Sequence, residues 1–292
     1  MRWATFVAPG AEHPRAGLVV GDEIRAPAPA IDLLALLGDD GSLLRDAGAR
    51  AERAPDVVVA ISETRVLAPI PRPPSVRDFY AFEQHVRTAR QRCGLEMEPD
   101  WYELPVFYFS NPASIIGDGD GVVMPAGTAE LDFELEVAAV IGGSGRIAGY
   151  TVMNDWSARD IQRREMKLNL GPAKGKDFAT TIGPFLVTPD ELEDLASGKS
   201  YDLTMTASVN GREYSRASLA DIFWSFDEMI AYASRGTTLQ PGDIIGSGTC
   251  GTGCILELAL VHGVDAFPWL RAGDEVSLSV DRLGTITNRV VG

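Results

Sequence analysis

The stretch from Leu131 to Ile141, LDFELEVAAVI, restricts this chain more than any other. Its first half alternates apolar and acidic residues, the period-two pattern of a strand with one face on a core. Leu131, Phe133, Leu135 and Val137 fall on one face, and Asp132, Glu134, Glu136 and Ala138 on the other. From Val137 to Ile141 both faces are apolar, as in a strand covered on both sides. Like charges on one face of a buried strand repel each other and lose their hydration, a cost that a cation removes. The competing reading is a half-exposed strand with a solvated acidic face.

Around this strand the chain divides at a proline run. Ala16–Val20 followed by Gly21-Asp22 has the pattern of a strand and a turn, and Ile31–Leu37 that of a short helix stopped by Gly38. Residues 43–54 are helical in composition, and Val57–Ile61 and Thr64–Leu67 are strand-like. Pro69-Ile70-Pro71-Arg72-Pro73-Pro74 then interrupts any regular element and makes a stiff connector. The expected organisation is a small N-terminal α+β domain, residues 1–68, and a larger domain, 69–292. In the latter, a helix is expected from Asp78 to about Cys93 and a polar loop over 94–104. Strands are expected at Val106–Phe109, Tyr150–Met153, Phe185–Val187, Leu203–Val209, Ile244–Ile245, Ile255–Val261 and Glu275–Val280. Only Trp156–Lys167 and Leu219–Ser234 have clear helical patterns beyond that point. The fold class is therefore mixed α/β and β-rich, a folded sheet or a barrel-like arrangement.

A net charge of −15 disfavours nucleic acids and anionic membranes as partners. It leaves room for an anionic substrate, because a local cation reverses the field inside a cleft. The three cysteines, Cys93, Cys250 and Cys254, are too few for a disulfide framework and fit a reducing cytoplasm. Cys250 and Cys254 have no second cysteine or histidine pair to complete a zinc site, since the histidines are His13, His85 and His262. No leader-like start and no apolar run of membrane-spanning length is present, so a cytoplasmic location is expected. The glycines of Gly246-x-Gly248 and Gly251-x-Gly253 lead into an expected strand, which argues against a dinucleotide loop.

Two more acids stand where strands or helices begin or end. Asp155 follows the apolar run Tyr150–Met153 and is either a functional group at a strand end or a helix N-cap. Asp78, just after the proline run, also has the N-cap reading. Were these acids to meet Glu134 and Glu136, the donors would be all oxygen. Such a set selects Mg²⁺, Mn²⁺ or Ca²⁺ over zinc.

Several motifs, in order from about residue 70 to the end, resemble the fumarylacetoacetate hydrolase family. They are Asp78-Phe79-Tyr80 with His85, Glu134-x-Glu136, the run Asn154–Gln162 (NDWSARDIQ), Gly175–Thr181, and Gly246–Thr249 followed by Leu256-Glu257-Leu258. The resemblance implies a β-rich C-terminal fold behind a smaller N-terminal domain, usually in a homodimer. It implies a divalent cation on Asp78, Glu134, Glu136 and Asp155, and His85 as general base oriented by Glu257. It also implies that Lys176 stabilises developing charge, and that Tyr80, Arg159, Gln162 and Thr249 contact a small anionic oxo acid. The implied reaction is hydrolysis of a carbon–carbon bond in a diketo acid or acylpyruvate. The alternatives are isomerisation or decarboxylation of an unsaturated 2-oxo acid on the same fold, and a non-catalytic cation-binding protein. The sequence departs from the family at Met166, where a substrate-contacting tyrosine is usual, and in the loop after His85, where Arg90 or Arg92 replaces a loop arginine.

Overall fold

The computed structural model describes residues 1–92 and 94–292; Cys93, and with it one of the three cysteines, lies outside the described residues. Among the described residues the α-helices are α1 (Ser42–Arg53), α2 (Glu83–Arg92), α3 (Arg159–Met166), α4 (Phe226–Ala233) and α5 (Ile255–His262). The rest is dominated by two open sheets, neither of which closes into a barrel.

The larger sheet has twelve strands. Its centre is the strand Leu135–Ile141, antiparallel to Ile147–Asp155 on one side and to Ile244–Gly246 on the other. Beyond Ile244–Gly246 lie Val76–Phe79, in parallel register, and then Phe107–Ser110. On the opposite flank Ile147–Asp155 pairs with Thr180–Val187, which pairs with Arg2–Val7 through Arg2↔Val187 and Trp3↔Leu186. The strands before the proline run thus extend the same sheet as those after it. The second sheet runs Arg212–Ser218, Thr204–Val209, Glu275–Val280, Gly284–Val291 and Gly121–Val123.

The central strand is buried on both faces, as its sequence requires. Leu135, Val137, Ala139 and Ile141 pack into one apolar cluster with residues of the second sheet such as Met205 and Leu278. Ala138 and Val140 pack into another with Trp3, Leu186 and Ile244. The strand breaks once, at Phe133-Glu134, between Leu131–Asp132 and Leu135–Ile141.

Four expected elements differ. Residues 255–261 form helix α5 and not a strand. An apolar run without turn residues fits either element. Here the first amides, Ile255 and Leu256, donate to the Asp132 carboxylate at 2.7 and 3.0 Å, which fixes a helix start. Asp78 lies in the strand Val76–Phe79 and not in a helix, because strands pair with it on both edges; α2 starts only at Glu83. Residues 219–234 split into a 3-10 turn, Leu219–Asp221, and α4, which begins after a Ser225/Glu228 capping box. Helix α3 likewise starts at Arg159, three residues after the expected Trp156, because Ser157-Ala158 pairs with Leu131-Asp132. The 94–104 segment is anchored by Trp101, whose indole donates to the Tyr80 carbonyl at 2.9 Å. Arg90 there turns to the Glu96 carbonyl at 2.6 Å, and the Arg92 side chain lies outside the described residues. No described helix is long and apolar enough to cross a membrane.

Candidate active site and metal centre

Three strands of the large sheet, two of them separated by Ile244–Gly246, each deliver a carboxylate to one cluster. Asp78 comes from Val76–Phe79, Glu136 from the central strand, and Asp155 is the last residue of Ile147–Asp155. Glu134 comes from the strand break, held there by a bridge to Cys254 and by its amide donating to Asn154 Oδ1 at 2.9 Å. One oxygen from each of the four lies within 4.8 Å of the others. None of the four is more than 5% exposed, so solvated acids at an N-cap or on an open face do not describe them. Gly246 makes the approach feasible: a Cβ there would stand 2.5 Å from Asp78 Oδ1.

Two buried cations answer these charges. Lys176 Nζ lies 2.6 Å from both Glu134 Oε2 and Asp155 Oδ2. Arg159 reaches Glu134 Oε1 at 2.7 Å and Asp132 Oδ2 at 2.8 Å. Its Nη1 also donates to Gln162 Oε1 at 3.1 Å. Five buried carboxylates therefore face two cations. Burial pushes the Asp78 and Glu136 carboxyls well above the usual range; the Asp155 charge adds to the effect on Asp78, and the Asp78 charge to that on Glu136. Burial raises Asp155 as well, against the pull of Lys176. At Glu134 burial acts the same way, but Lys176 and Arg159 outweigh it and hold this carboxyl below the ordinary range.

Asp78 Oδ1, Glu136 Oε1 and Asp155 Oδ1 are buried without a hydrogen-bond partner. Their other oxygens are engaged: Tyr108 Oη contacts Asp78 Oδ2 at 3.1 Å and also Asp155 Oδ2, and the Gly248 amide donates to Glu136 Oε2 at 3.1 Å. Unpaired buried oxygens on three of four clustered carboxylates fit a divalent cation, and an all-oxygen set fits a hard one.

Beside the cluster, His85 of α2 meets Glu257 of α5, with 2.9 Å between Nδ1 and Oε2. Both are buried. A carboxylate on Nδ1 fixes the tautomer and leaves Nε2 to exchange protons. The Tyr80 ring stands edge-on to the imidazole, with centroids 5.9 Å apart. Cys254 lies close enough to His85 and Glu257 to complete a ligand trio, but burial, reinforced by Asp132, pushes its thiol far from ionisation.

A cavity of about 830 Å³ opens onto these groups. Asp78, Tyr80, His85, Glu134, Arg159, Gln162, Lys176 and Thr249 line it, while Glu136, Asp155 and Glu257 stand behind that wall. Two residues here escaped the sequence-based choice. Asp132 shares a strand face with Glu134, a visible signal, but its use as helix cap and arginine partner was not. Tyr108 carried no signal beyond its strand-like neighbours. The glycine loop also needs correction: it follows a strand and opens α5. The end of α5 is nonetheless closed to a pyrophosphate, because the Asp132 carboxylate already occupies its first amides.

The model of the family described as fumarylacetoacetate (FAA) hydrolase, C-terminal, matches residues 75–291. Over its whole length the chain is 30% identical to the mitochondrial oxaloacetate tautomerase Fahd2a of Rattus norvegicus, covering 92% of that protein. Among solved structures it resembles the fumarylacetoacetate hydrolase of Exiguobacterium antarcticum, with 26% identity, a TM-score of 0.76, and coverage of 100% of this chain and 99% of that one. It also resembles the maleylpyruvate hydrolase of Sphingobium sp. SYK-6 in complex with manganese(II) and pyruvate, with 25% identity, a TM-score of 0.72 and the same coverage.

Proposed function

The chain belongs to the fumarylacetoacetate hydrolase family, and on that footing we propose that it is a Mg²⁺- or Mn²⁺-dependent hydrolase of a carbon–carbon bond in an acylpyruvate or related diketo acid. The observation that carries this reading is the His85–Glu257 pair, 2.9 Å apart, on the same cavity as the carboxylate cluster. Binding a cation alone does not call for a buried, oriented imidazole.

Asp78, Glu134, Glu136 and Asp155 would hold the cation. When bound, it supplies Lewis acidity and a hold on the oxo-acid end of the substrate. His85 Nε2 takes a proton from water as the oxygen adds to the acyl carbonyl, and Glu257 stabilises the imidazolium. Cleavage then yields a carboxylic acid and the enolate of a 2-oxo acid, which recovers a proton to give the free acid. Lys176 and Arg159 keep Glu134 ionised and add positive potential where the enolate charge develops.

A second reading is keto–enol tautomerisation of a 2-oxo diacid, favoured by the full-length similarity to the rat oxaloacetate tautomerase. It uses the same base without an attacking water. Mass spectrometry reads cleavage of acylpyruvates, and the ultraviolet absorbance of the enol reads tautomerisation of oxaloacetate; both assays, with Mn²⁺ or with EDTA, separate the two. A carboxylic acid plus pyruvate supports the hydrolase. Tautomer exchange without any cleavage of acylpyruvates sinks it.

A further inference from the structure

We infer that the acid accepted by this site ends in an uncharged, apolar tail and not in a second carboxylate; this rests on the oxo-acid reading above. The cavity is graded along the helices that wall it. On α3 the lining residues run from Arg159, which grips Glu134, through Gln162 to Met166. Seven residues of helix place Met166 about 10 Å along the axis from Arg159. On α2 the step from His85 to Ala89 is one turn, and on α5 the step from Leu256 to Leu260 is another. Helices α2 and α3 thus pass from polar groups beside the buried carboxylates to apolar side chains, α5 presents leucines at both steps, and Met166 is 50% exposed. Val106 continues that wall.

The cationic side chains among the described lining residues are already committed. Lys176 is held by Glu134 and Asp155, Arg159 by Asp132 and Glu134, and Arg163 at the rim by Glu130. A second substrate carboxylate in the outer part of the cavity would shed its water against Met166 and Leu260 with no unpaired cation among the described lining residues in return. An alkyl or aryl tail would gain from the same contact.

The test is calorimetric binding to the Mn²⁺-loaded protein of a saturated medium-chain 2-oxo monoacid and of the 2-oxo diacid of equal length. The monoacid is expected to bind at least about tenfold tighter, and Met166→Arg to shrink or reverse that ratio with Mn²⁺ affinity unchanged. Equal or tighter binding of the diacid overturns the inference, as does binding of neither acid, or a ratio indifferent to Met166→Arg. A clear monoacid preference without cleavage of any acylpyruvate sinks the hydrolase and leaves the tail specificity standing.

Discussion

Replacing Glu136 by glutamine should reverse its effect on stability according to whether a cation is present. The amide keeps an acceptor for the Gly248 amide but removes one charge from a group whose oxygens lie within 4.8 Å. At an effective dielectric of about 20, two unit charges at that spacing repel by about 3 kcal/mol. Proton uptake already relieves part of this, since burial and Asp78 raise the Glu136 carboxyl, so a net gain of about 1–2 kcal/mol is expected for metal-free E136Q. In EDTA that raises Tm by about 2–6 °C. Wild type in free Mn²⁺ at about 100 times Kd gains about 2.7 kcal/mol, or about 5–10 °C, and the variant little of it. The order of melting temperatures therefore inverts between EDTA and saturating Mn²⁺. The sign with pH follows from the same groups. Carboxyls raised in the folded state bind protons there that the unfolded chain has lost, so metal-free wild type loses stability as pH rises through their folded range. The advantage of E136Q in EDTA thus widens as pH rises above the ordinary carboxyl range. Differential scanning fluorimetry measures all of this. If wild type ignores Mn²⁺, or E136Q melts lower in EDTA, then Lys176 and Arg159 suffice as counterions and the cluster is not a cation site.

Other substitutions separate the parts of the site. His85→Ala should lower kcat about 10²–10⁴-fold, while titration calorimetry finds Mn²⁺ affinity nearly unchanged; full activity would remove His85 from the chemistry. Tyr108→Phe leaves Asp78 Oδ2 and Asp155 Oδ2 without the hydroxyl that orients them. Mn²⁺ affinity should fall about 10–100-fold, and an unchanged Kd would make Tyr108 a bystander. Gly246→Ala puts a methyl 2.5 Å from Asp78 Oδ1 and must displace that carboxylate. It should therefore weaken Mn²⁺ binding more than the neighbouring substitution Ile245→Val, a comparison that controls for core disruption.

Much of this site was legible because its residues obey two periodicities at once. The alternation through 131–137 placed Glu134 and Glu136 on one face, and the apolar continuation to Ile141 announced burial. What spacing could not supply was convergence. Asp78 looks like a cap from its neighbours alone, and only pairing with Ile244–Gly246 and Phe107–Ser110 makes it a strand residue. The run 255–261 reads as a strand for a related reason. Its sequence tolerates either element, and the choice is made by Asp132, distant in sequence, at the first amides of α5. Tyr108 was invisible because its role lies wholly in which oxygens it meets. The motif resemblance supplied the grouping of Asp78 with the other acids, which local physics had left open.

The strand order has a consequence for how the protein is made. Ile244–Gly246 is the spacer between the strand bearing Glu136 and the strand bearing Asp78. A ribosome emits Asp78, Glu134, Glu136 and Asp155 long before that spacer exists. Until it emerges, Asp78 can be carried only by its pairing with Phe107–Ser110, one strand short of its partners. Coordination by all four would thus become available only near the end of synthesis, so a bound cation would seal a finished sheet and not nucleate it.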